Sequence, residues 1–111
     1  MKPANPIQVV GIKDLDEMEL EAVYRIGDRY YGKLQRAVKN MASLVVHIKS
    51  YDKEGRQRKY SVHVKLVAPA RIFVSTKVHD WNLEKALHKS FQDIERQSQH
   101  RLHTYSQNKK A

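Results

Sequence analysis

The sequence predicts an α+β fold: a two-layer sandwich of order β-α-β-β-β-α, with a four-stranded sheet and both helices packed on one face. Three observations carry that expectation. Apolar residues recur every three or four positions near 17–40 and again near 81–103, the period of an amphipathic helix. Between these stretches, residues 43–51, 58–68 and 71–78 alternate apolar and polar positions, the period of a half-buried strand. The chain has 111 residues, enough for one domain with one modest core.

Residues 7–12, IQVVGI, are β-branched and apolar and read as the first strand. Asp14, Asp16, Glu17, Glu19 and Glu21 cluster just ahead of the first helix. Acids there complement the positive end of the helix dipole and need no catalytic explanation. Leu20, Val23, Tyr30, Leu34 and Val38 then set the apolar stripe of a helix over 17–40. Gly27 and Gly32 each cost such a helix about 1 kcal/mol and are read as points of close packing on the sheet.

In the second strand, Leu44, Val46 and Ile48 face one way, and Val45, His47, Lys49 and Tyr51 the other. Asp52-Lys53-Glu54-Gly55 reads as a hairpin turn with a late glycine. The third strand sets Tyr60, Val62, Val64 and Leu66 against Lys59, Ser61, His63 and Lys65, and Pro69 ends it. The fourth, RIFVSTKV, is expected to turn Ile72, Val74, Thr76 and Val78 to the oily face and Arg71, Phe73, Ser75 and Lys77 to the wet one. Asp80 is the expected N-cap of a second helix over 81–103, with Leu83, Leu87, Phe91 and Ile94 as its apolar stripe. Residues 106–111 read as a polar, frayed tail on a single domain of residues 1–105. Two amphipathic helices need a surface to cover, and the oily sheet face is the one available.

Formal net charge is +9, which argues for a polyanionic partner, nucleic acid first. Without cysteine, neither a disulfide nor a thiolate metal site is open to this fold. No apolar run approaches the roughly 20 residues that span a bilayer, and Met1 to Pro6 lacks a signal-peptide core. No membrane partner is expected, and a cytoplasmic location is permitted.

The cations are patterned. Arg25, Arg29, Lys33 and Arg36 follow one another at four, four and three residues, one per turn on one helix face. The second helix repeats the device with Lys85, Lys89, Arg96 and His100, Gln92 filling the gap and His103 extending it. One charged stripe is ordinarily a solvated face. Two stripes on neighbouring helices make parallel ridges suited to a phosphate backbone. Lys49, Lys65, Arg71 and Lys77 on the wet sheet face are secondary RNA-binding candidates, because cations interleaved with Tyr51 and Phe73 resemble a base-stacking surface. Lysines there also deter edge-to-edge aggregation.

No catalytic residue, metal site, cofactor or small-molecule substrate is expected. The six histidines lack a third ligand at useful spacing, though His47 and His63 are possible cross-strand neighbours. No serine elbow or glycine-rich phosphate loop is present in the sequence. Trp81 is expected to pack beside the second helix start.

The chain resembles the ribosome hibernation-promoting factors, also called ribosome-associated inhibitor A or light-repressed proteins. The resemblance rests on the order β-α-β-β-β-α and on Lys33-Leu34-Gln35-Arg36 in the first helix. It rests also on Ala86-Leu87 and Ile94-Glu95-Arg96-Gln97 in the second helix, and on His79-Asp80 before Trp81. It covers about residues 7 to 103. Asp93 stands where the family has a lysine, and the approach to the last helix is two residues longer. The chain looks like the short form of the family. The resemblance implies a stress-response translation inhibitor, monomeric off the ribosome, that occupies the messenger and transfer RNA channel of the small ribosomal subunit through its rRNA and catalyses nothing. The alternatives are a double-stranded RNA-binding domain, whose last helix opens with lysines rather than Asp80-Trp81-Asn82-Leu83-Glu84, or a ribosome assembly factor.

Overall fold

The computed structural model describes residues 7–38, 43–52, 58–69 and 71–110. The expected turn at Asp52–Gly55 lies largely outside these residues. Elements run β1 (Ile7–Val10), a short 3-10 turn (Ile12–Asp14), α1 (Glu17–Ala37), β2 (Ser43–Asp52), β3 (Arg58–Val67), β4 (Ile72–Val74), β5 (Val78–Asp80) and α2 (Leu83–Lys110). The α+β class and the element order are as the sequence predicts.

The sheet is mixed. β1 lies parallel to β2, pairing Ile7 with Leu44. β2 and β3 form a long antiparallel ladder from Ser43↔Val67 to Asp52↔Arg58. β4 and β5 share the far side of β3, through Lys65↔Val74 and Val62↔Val78. Both helices cover one face. Val23, Ile26 and Leu34 of α1 and Leu87, Phe91 and Ile94 of α2 meet Leu44, Val46, Val62, Val64 and Leu66 in one buried cluster.

Local chemistry sets the joints. Gly11 turns the chain out of β1 at φ 98°, and a Cβ there would sit 1.9 Å from the Ile48 carbonyl oxygen. Asp16 caps α1, accepting from the Glu19 amide at 2.8 Å while the Glu19 carboxylate accepts from the Asp16 amide at 2.9 Å. Glu19 also takes the Tyr60 hydroxyl and the Arg58 guanidinium, which ties the start of α1 to β3. Gly27 packs as expected: a Cβ there would meet Ile7 at 3.4 Å and Phe91 at 3.8 Å, whereas Gly32 faces open space.

Three expectations are corrected. The stretch 71–78 is two strands with a break at Ser75–Lys77, and its first half is turned over. Phe73 and Ser75 are buried, while Ile72 and Val74 are exposed. The Phe73 ring has the larger area to bury, and Ser75 repairs the ladder: its hydroxyl accepts from the Val64 amide at 2.8 Å and its own amide donates to the Val64 carbonyl. Asp93 holds the break from α2, accepting from the Thr76 amide at 3.0 Å. The extra residue then restores Val78 to the inner face. Asn82, not Asp80, caps α2, accepting from the Lys85 amide at 3.0 Å. Asp80 instead accepts from the Asn82 amide and from Lys89. The helix backbone continues to Lys110, through the expected tail.

Candidate nucleic-acid interface

The seam between the helices is organised by Tyr30. Its ring stacks on Phe91 with centroids 5.0 Å apart, and its hydroxyl shares a hydrogen bond with His88 Nδ1 at 3.0 Å. Burial pushes its phenol pKa up, partly offset by a hydrogen bond with Gln92. Tyr30 therefore marks the line along which α1 faces α2. Lys33 lies one turn further on, its ammonium 5.2 Å from the Tyr30 ring centroid. Arg29 and Arg36 flank Lys33 at four and three residues, so these three exposed cations share the shoulder turned toward α2.

On α2 the buried residues Leu83, Leu87, Phe91 and Ile94 point at the sheet. Lys85, Gln92 and Arg96 lie on the opposite, solvent face. Arg29, Lys33, Arg36, Lys85 and Arg96 form no ion pair among the described residues.

Two other members of the predicted stripes are engaged. Arg25 is held 3.3 Å from both Glu21 and Glu84, so it bridges the helix starts and its charge is locally compensated. Lys89 reaches back to Asp80 at 3.1 Å, a contact that, after the Asn82 amide, helps hold the Asp80 carboxyl below its usual range. His100 lies on the backbone of α2, but its side chain is outside the described residues, as is that of His103.

The secondary candidates lie on the other surface. Lys49 and Lys65 sit on the outward side of β2 and β3, Lys77 in the break beside His63, and Arg71 on the turn between β3 and β4. His47 and His63 are direct cross-strand partners with rings stacked at 4.4 Å and 1° between planes. Burial holds the His63 pKa below its ordinary value, with His47 and Lys77 adding to the effect. Phe73 does not belong to this surface. Trp81 stands at its end: 49% exposed, it lines a cleft with Met18, Asn82 and Leu83 at the helix starts, as expected, and the Lys59 ammonium lies 5.6 Å from its ring centroid. Its place beside a strand rich in lysine was the available signal.

No group of three metal-ligating side chains occurs among the described residues, and no described helix is long and apolar enough to cross a membrane. No protein-family model and no curated protein matches the chain.

Proposed function

We propose that the protein is a ribosome-binding translation inhibitor of the hibernation-factor type, which docks its helix surface on small-subunit rRNA in the messenger and transfer RNA channel. The observation that carries this reading is the exposed cationic surface of the two helices. Arg29, Lys33 and Arg36 on one side and Lys85 and Arg96 on the other are exposed, on rigid elements, and free of internal ion pairs among the described residues. Cations held this way give up little conformational entropy on meeting phosphates. The family resemblance adds the identity of the RNA.

The start of α2 disfavours the duplex-RNA alternative. Asn82 caps it, and Glu84 there is paired with Arg25, so no lysine cluster stands at that helix end.

Inhibition of this kind is occupancy. It scales with the ratio of protein to ribosomes and weakens as initiator tRNA and messenger are added, because ligands for one site exclude each other by mass action. Titration of cell-free translation tests this. The expected result is full inhibition near one protein per ribosome, relieved by messenger and initiator tRNA. Full inhibition far below that ratio, or cleaved rRNA, overturns it.

A further inference from the structure

The sheet surface opposite the helices carries a pattern of its own. Outward positions on β2 and β3 alternate along the strands, and from Ser43 to Tyr51 and from Lys59 to Val67 they include three lysines and no acid. The helix surface, by contrast, intersperses Glu21, Glu84 and Glu95 among its cations. Flat groups punctuate the sheet surface in two rows. In one, Tyr51 opposes Lys59, which leans on Trp81. In the other, His47 and His63 form their stack, with Lys77 beside them. Lys49 lies between the rows, with its ammonium 5.7 Å from the Tyr51 ring centroid.

We propose that this surface is a second nucleic-acid site, one that stacks the bases of an unpaired RNA strand on the His47–His63 pair and on Tyr51, with Lys49 and Lys65 meeting its phosphates. It goes beyond the helix-surface reading and does not depend on it. A cationic surface without acids at these positions fits a polyanion, and its flat rings, Tyr51 exposed and the His47–His63 pair half-buried, fit bases rather than a closed duplex. The two rows are four residues apart on β2, about 14 Å at about 3.4 Å per residue. At about 3.4 Å per stacked nucleotide that separation accommodates about four nucleotides. Val10, exposed and paired in register with His47, borders that stack at the sheet edge.

The test is binding of a ten-nucleotide oligouridine and of a duplex RNA of equal charge, followed by anisotropy and by quenching of Trp81, the sole tryptophan. The single strand is expected to bind more tightly and to quench Trp81. His47→Ala with His63→Ala is expected to lose about tenfold in affinity with an unchanged salt slope, because stacking is lost and phosphate contacts are not. Lys49→Gln with Lys65→Gln is expected to flatten the slope by about 1.4 units, roughly 0.7 for each phosphate contact to a single strand. His47→Tyr with His63→Tyr, which keeps flat rings, is expected to retain affinity within a few-fold and decides the matter if the alanine pair does not fold. Equal binding of strand and duplex, or full affinity in the alanine pair, overturns the proposal. So does loss of oligouridine binding in Lys33→Glu with Arg36→Glu. Unaltered protein that binds oligouridine but not small subunits rejects the helix-surface reading alone.

Discussion

Gly11 and His63 show how much single residues fix. Gly11 has both a left-handed backbone and no room for a side chain, so Gly11→Ala must strain φ and push on the Ile48 carbonyl together. A loss of more than about 2 kcal/mol is expected, well above the usual Gly→Ala effect, and urea unfolding measures it. His63 makes a pH prediction. Its pKa is lowered in the folded state, chiefly by burial, so near pH 6 the unfolded chain binds the proton more readily than the folded one. Stability from this group is therefore complete above about pH 6.5, the ordinary histidine value, and is lost as pH falls below it. Unfolding midpoints at pH 7.5 and 5.5 should show that fall, and His63→Gln should show less of it. Equal pH dependence in the two proteins would remove His63 as the cause.

At the scale of elements, the break between β4 and β5 depends on a residue of another element. Asp93→Ala leaves the Thr76 amide without its acceptor and should cost about 0.5–1.5 kcal/mol, roughly 4–8 °C in Tm per kcal/mol. Faster exchange of the Thr76 amide would locate the effect, and an unchanged Tm would mean the break holds itself. This contact also explains what was legible. Helices, β2 and β3 declare themselves because each has a long, unambiguous period. RIFVSTKV does not, because alternation fits it in either register, and the choice rests on Phe73 packing, on Ser75 bonding to Val64 and on Asp93, about 20 residues away. The N-cap shifted from Asp80 to Asn82 because both residues have capping side chains, and Leu83, the first buried residue of α2, follows the second. The basic stripes were legible as spacing. That Arg25 and Lys89 are engaged by Glu84 and Asp80 was not, since those acids come from other elements or lie outside the helical period. Arg96 stands on the well-packed part of α2, so Arg96→Ala should weaken small-subunit affinity more than deletion of residues 106–111. A larger loss from the deletion would contradict the helix-surface assignment.

The whole molecule presents two cationic surfaces back to back, and the central claim is that the helix surface is the one that meets the small subunit. Lys33→Glu with Arg36→Glu tests it most directly, because both side chains are exposed and their replacement leaves the core untouched. Losing the Lys33 contact with Tyr30 should cost only about 0.5–1 kcal/mol of stability. The measurement is affinity of the folded variant for small subunits across a salt series, beside the unaltered protein. The account predicts that most binding is lost and that the slope of log affinity against log salt falls by about two units, one for each phosphate contact removed. Unchanged affinity and slope would contradict it and move the ribosome-binding surface to the sheet.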